Sequence, residues 1–123
     1  APAGDSLGAR LAAADPDKGK AVFNRVCGIC HTANEGGPTR IGPNLWNIVG
    51  RQHSSVAGFS YSPVMKGKTG PWTYEDLNAW LANPARFAPG NRMGVGLADA
   101  KQRADVIAYL RSMSNDPKPF PAP

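Results

Sequence analysis

Cysteine and histidine are scarce in this 123-residue chain, which has two of each. A structural zinc site needs four protein ligands, and His53 stands apart from the other three candidates, so such a site is disfavoured. No apolar run is long enough to cross a membrane. Strictly alternating stretches long enough to predict strands are missing, as are internal repeats. Acidic residues are also few, 9 against 14 Lys and Arg, giving a net charge of +5. A moderately basic surface suits nucleic acid, anionic lipid or an acidic protein partner. With no nucleic-acid motif and no dense basic run, the acidic protein is the best of the three. The start shows no signal peptide, and Ala1-Pro2-Ala3 is compatible with a mature end left by cleavage.

What is present fits one small domain. Hydrophobic residues make up 41%, enough for a core, but 14 Gly and 12 Pro imply many turns. A small, loop-rich chain often needs a staple beyond its own apolar packing. The stretch Cys27-Gly28-Ile29-Cys30-His31 offers one. Its spacing is that of c-type haem attachment: two thiols add to the haem vinyl groups, and the following His binds iron from one face. A redox-active Cys-x-x-Cys needs no such His and usually sits at a strand-to-helix junction of a βαβ unit, which this sequence does not show. One covalent haem c would then be the apolar plate at the centre of the core.

Around this motif the pattern is all-α, with three main helices, short helices and long loops. Residues 1–14 are small and Ala-rich, with Leu7 and Leu11 the large apolar groups, and read as one loose helical turn or a tail. Asp15-Pro16-Asp17 starts a helix that should run to about Cys27, with Val22, Phe23 and Val26 on its inner face. Gly19 on that face costs helix propensity unless another helix crosses there. Leu45, Trp46, Ile48 and Val49 form an apolar cluster suited to covering the haem. Ser62-Pro63 suggests a short helix through Met65 and Lys66. Thr73 and Asp76 cap the next helix, with Leu77, Trp80 and Leu81 apolar, and Asn83-Pro84 ends it. Residues 85–98 read as a loop. Asp99 and Gln102 cap a last helix running to about Met113, and the four prolines after Asp116 cannot continue it.

The sixth iron position decides function: filled by a protein group, the site shuttles electrons; left open, it binds gases or does peroxide chemistry. His53, Met65, Met93 and Met113 are the candidates by residue type. Met113, at helical spacing, reads as core filler. Met65 is ambiguous, and Met93 lies in a Pro-Gly loop where burial as filler is less natural.

The ordered set Gly19, Phe23, Cys27–His31, Gly42-Pro43-Asn44-Leu45, Gly50-Arg51, Gly58-Phe59-Ser60-Tyr61, Trp72, Asn83-Pro84, Pro89-Gly90-Asn91-Arg92-Met93 and Ile107-Ala108-Tyr109-Leu110 closely resembles the class I cytochromes c. The likeness is to the mitochondrial type and its bacterial cytochrome c2 relatives. It covers residues 15–115, leaving residues 1–14 as an N-terminal extension and 116–123 as a Pro-rich tail. The resemblance implies Met93 as distal ligand and a Pro43 carbonyl accepting from the His31 ring. It places Tyr61, Trp72 and Arg51 at a haem propionate, Trp80 and Asn91 beside the Met ligand, and Tyr109 against Gly19 and Phe23. It implies a soluble electron carrier, not an enzyme, expected as a monomer. Its partners would be acidic docking surfaces: a cytochrome bc1 complex, a terminal oxidase, a photosynthetic reaction centre or a dehydrogenase. The extension and tail favour a bacterial periplasm over a mitochondrial intermembrane space.

Several positions depart from that pattern. Trp80 replaces a usual Tyr and Met65 a frequent Asn, making the Met side less polar. Arg92 and Ala85 replace lysines able to displace the Met at high pH, a role a guanidinium fills poorly. Val26 replaces a docking Lys and Val95 an aromatic, leaving Arg25, Arg86 and Arg92 as candidates for a docking patch.

Overall fold

The computed structural model describes residues 6–123, so readings of residues 1–5 lie outside it. The architecture is helical: α1 (Leu7–Ala12), α2 (Pro16–Val22), α3 (Pro63–Lys66), α4 (Tyr74–Ala82), α5 (Pro84–Phe87) and α6 (Ala100–Ser112). The caps are where local chemistry puts them. Asp15 accepts from the Asp17 and Lys18 amides with Pro16 in the first turn, Thr73 accepts from Asp76, and Asp99 from Gln102. Each satisfies amides that the helix itself leaves unpaired.

Helix α2 and its continuation pack against α6. Gly19 makes the crossing possible, because a Cβ there would overlap the Asp105 carbonyl. Asp105 is buried at this crossing, where its carboxylate accepts from the Asp15 amide (2.9 Å) and Lys101 (3.3 Å). One turn on, the Phe23 and Tyr109 rings meet at 5.5 Å. Val106, Ile107 and Leu110 of α6, with Leu77 of α4 and Leu11 of α1, are almost fully buried. Side chains of this size contribute roughly 1.5–3 kcal/mol each on leaving water.

Three elements differ from the sequence expectation. The segment up to Cys27 is not all α: Phe23–Cys27 is a π turn, in which the Gly28 amide reaches back five residues to the Phe23 carbonyl (2.7 Å). Residues 85–98 are not wholly loop, because Asn83 both ends α4 and caps α5, its side chain accepting from Arg86. Within residues 1–14 a capped helix forms, with the Ser6 hydroxyl accepting from Ala9 and Leu11 buried.

The loops are tied down by polar side chains. Asn115, just past α6, accepts at its Oδ1 from Trp46 Nε1 (3.1 Å) and Asn47 Nδ2 (2.9 Å). Residues 50–53 pair with 70–72: Gly50 donates to Trp72, Trp72 to Arg51, and His53 to Gly70. The Pro-rich tail straps back across α4 and α6. Tyr74 Oη and Arg111 Nε both donate to the Lys118 carbonyl (2.6 Å each), and Phe120 packs on the Tyr74 ring under the Arg111 guanidinium. Gly8 of α1 sits so close to Pro121 and Ala122 that a Cβ would overlap their carbonyls.

Candidate functional site

The π turn delivers Cys27 to the edge of a cavity of ≈ 450 Å³, and Cys30 and His31 follow on the same wall. Burial pushes the Cys27 thiol up to about 11, and Cys30 adds to the shift. A buried thiol of this kind stays protonated, unlike the lowered thiols of reactive cysteines. His31 is 8% exposed, and its Nδ1 donates to the Pro43 carbonyl at 2.8 Å. Because a carbonyl can only accept, this bond fixes the tautomer and leaves Nε2 with its lone pair. Burial also lowers the His31 pKa, outweighing the Pro43 bond and favouring the neutral, ligating ring. Gly42 lies flat on this imidazole, and any Cβ there would collide with it.

Met93 lines the same cavity on the loop after α5. Asn91 organises that loop. Its Nδ2 donates to the Pro84 and Ala88 carbonyls (2.6 and 2.7 Å), and its Oδ1 accepts from the Met93 amide (2.7 Å). Asn91 therefore acts on Met93 through the backbone. Arg92 spans to the Ser60 carbonyl (2.9 Å), joining the Met loop to the loop that carries Tyr61. Met65 also lines the cavity, while Met113 packs against the core at the end of α6.

Trp80 faces His31 edge to face, the ring centroids 6.4 Å apart at 84°. A planar macrocycle bound end-on by the imidazole would stand perpendicular to it, an orientation in which the indole, itself at 84° to the imidazole, can lie along its face. The slot between the two rings fits a flat group. Trp72 and Tyr61 line the cavity too, and the Trp72 and Trp80 rings meet at 5.2 Å.

Arg51 gives the clearest sign of a missing anion. Its Nη1 donates to the Asn44 and Trp46 carbonyls (2.8 and 3.0 Å), yet its Nε is buried with no partner. Ser62 Oγ, on the same cavity wall, is equally orphaned. Buried polar groups are ordinarily satisfied, and burial lowers the Arg51 pKa with Tyr61 opposing. A carboxylate-bearing ligand would answer both. The residues present thus fit a covalently held haem: thiols, a neutral imidazole, a thioether, a flat slot and unpartnered donors for its propionates.

All ten sequence-predicted site residues, Cys27, Cys30, His31, Pro43, Arg51, Tyr61, Trp72, Trp80, Asn91 and Met93, lie along this one cavity. Sequence reasoning missed Ser62, which looked like a helix-start residue, and read Gly42 as a turn signal when its role is contact with His31. It also left His53 isolated, whereas the fold buries it against Trp72.

Comparison with known proteins agrees with this chemistry. The family model for cytochrome c matches residues 16–114. A cytochrome c homolog of Bradyrhizobium diazoefficiens is 50% identical over 113 residues, covering 90% of this chain and 61% of the relative. A cytochrome c of Nigella damascena is 38% identical over 112 residues, covering 90% of this chain and 92% of the relative. Cytochrome c-type cyt cy of Rhodobacter capsulatus is 41% identical over 100 residues, covering 80% of this chain. The chain spans only 49% of that last protein's length.

Proposed function

From the premise that this chain belongs to the cytochrome c family, which holds haem c covalently, we propose that it is a single-electron carrier with His31 and Met93 as axial ligands. The observation that carries this reading is the convergence of Cys27, Cys30, His31 and Met93 on one cavity, with His31 already oriented by Pro43. When bound, the haem supplies a one-electron Fe(III)/Fe(II) couple.

The protein's part is to hold still. Pro43 and Gly42 fix the His31 ring, and Asn91 fixes the backbone of Met93, so neither ligand must reorganise as charge changes. Met ligation raises the potential relative to bis-His ligation. Arg51 Nε and Ser62 Oγ, with Tyr61 and Trp72 beside them, receive the propionates.

Electrons pass at the cavity mouth. Ile41 and Val95, exposed by 75 and 52%, stand on its rim, and Ile29, 70% exposed, lies between the two cysteines in the chain. Arg92 is on the same rim, and Arg40 reaches the Gly28 carbonyl in the cysteine turn. Such a face suits a redox protein with an apolar centre and an acidic surround, such as a cytochrome bc1 complex, terminal oxidase, photosynthetic reaction centre or dehydrogenase. Charge chiefly sets the encounter rate, so partner oxidation should slow with salt, but only shallowly. The bacterial relatives support a periplasmic location, with the mitochondrial intermembrane space as alternative. No helix among the described residues is long and apolar enough to cross a membrane.

Visible spectra of oxidised and reduced holoprotein test the ligation. A low-spin spectrum with the weak long-wavelength ferric band of a Met–iron bond is expected. A high-spin spectrum that changes with CO would overturn it in favour of a haem enzyme or a gas- or peroxide-responsive protein.

A further inference from the structure

Two thioethers line the haem cavity. Met65 on α3 and Met93 on the loop after α5 are both half-buried and both packed against the same core. Met93 sits on a loop built to place it, through Asn91. Nothing comparable fastens the Met65 side chain. The tie at this residue is to its backbone, where the Ser54 hydroxyl donates to the Met65 carbonyl (2.6 Å). Helix α3 is a single turn without a side-chain cap, because Ser62 Oγ makes no bond. None of its residues is fully buried, and it takes no part in the principal helix packings. Methionine has three side-chain torsions and a polarizable sulfur, so it changes place within a cavity at low cost.

The other groups around the cavity are poor substitutes for a thioether. Cys27 and Cys30 are taken up by haem attachment. The Trp72 and Trp80 indole nitrogens donate and have no lone pair to offer. Arg51 and Arg92 are guanidiniums and poor ligands. The Tyr61 hydroxyl already accepts from the Val56 amide (3.0 Å). His53, Met113 and the lysines are not among the lining residues. Met65 is the remaining soft donor. Arg92, next to Met93, bonds the Ser60 carbonyl two residues before Ser62 at the start of α3. The segments that carry the two sulfurs are therefore joined.

We propose that Met65 is a reserve axial ligand: when the Met93 sulfur leaves the iron, the Met65 sulfur takes its position and keeps the site six-coordinate. The proposal rests on the reading of Met93 as the resident ligand. One iron–sulfur bond breaks and another forms, with no electron or proton transferred, so the exchange balances. A donor held in the cavity competes with dissolved ligands through its high effective concentration. Met93 is lost from the iron by opening of its loop or by oxidation of its sulfur to the sulfoxide. In either case the exchange preserves a thioether and keeps carbon monoxide and peroxide from an open sixth position. It belongs to the native fold, because denaturant that frees the Met93 loop also loosens the α3 segment that Arg92 joins to it.

The experiment compares wild type, Met93→Ala, Met65→Leu and the double variant as holoproteins in buffer without denaturant. Ferric spectra are recorded for the Met–iron band, and ferrous spectra with carbon monoxide. Met93→Ala should keep a low-spin spectrum with the band and resist carbon monoxide. The double variant should lose the band and bind carbon monoxide, and Met65→Leu alone should keep the band. A Met93→Ala protein that is high-spin, or low-spin without the band, overturns the proposal, as does a band that survives in the double variant. Loss of the band in Met65→Leu with its retention in Met93→Ala overturns instead the reading of Met93 as resident ligand, so the two failures are distinct. If Met93→Ala does not take up haem, hydrogen peroxide treatment of the wild type replaces it. Each thioether oxidised becomes a sulfoxide and releases water, and peptide mass spectrometry counts the product at each methionine. A band that outlasts Met93 oxidation and falls as Met65 follows supports the proposal. A band that falls in step with Met93 oxidation overturns it.

Discussion

The two walls of the cavity are built in opposite ways. The His31 wall is held by shape: a π turn, a glycine pressed on the imidazole and one carbonyl that fixes the tautomer. The Met93 wall is hung on polar clasps, with Asn91 tying residues 84, 88 and 93 together and Arg92 reaching to Ser60. Close packing fails abruptly when overfilled. Hydrogen bonds at a half-exposed loop fail by degrees, since each contributes only about 0.5–1.5 kcal/mol net. The comparison implies that the thioether side opens first under stress, while the imidazole side stays with the core.

The sharpest attack on this contrast is Gly42→Ala. The added methyl collides with a ring that Pro43 prevents from turning away. A loss of ~3 kcal/mol in unfolding free energy is expected, with a disturbed low-spin spectrum, measured by denaturant titration and absorption of the holoprotein. An unperturbed spectrum would mean that the imidazole wall is as yielding as the other.

Asn91→Ala should have a smaller, more local effect. Removing three hydrogen bonds while leaving the Met93 thioether in place should cost about 1–2 kcal/mol. On the proposed ligation, the Met–iron band should then disappear at a denaturant concentration where helical circular dichroism is still intact. Simultaneous loss of both signals would merge the two walls into one cooperative unit.

Arg92→Ala, at an exposed position, should be the mildest. A change within about 0.5 kcal/mol is expected, together with a slower encounter with an acidic partner at low salt. A large stability loss would make the Ser60 bridge a principal support of the Met loop.

Most of the scaffold could be read from the chain because its signals are local. Asp15, Thr73 and Asp99 each cap within three residues, and Cys27–His31 is a contiguous motif. What escaped the reading depends on distance. Asn83-Pro84 reads as a stop because proline bars the preceding residue from the helix, yet the same Asn starts α5. The π turn begins at Phe23, whose ring packs on Tyr109, many residues away. Nothing near His53 in the sequence announces Trp72. Gly42 looks like any turn glycine until the imidazole lies against it.

The close approach of Gly8 to Pro121 and Ala122 brings the two ends of the described chain together in one seam. No residue of that seam lines the haem cavity. Mechanically, the molecule is close to a ring fastened at one point. A pull on both ends would load the contact between α1 and the tail first and peel it apart, then strip Phe120 from Tyr74, before the strain reached either wall of the cavity.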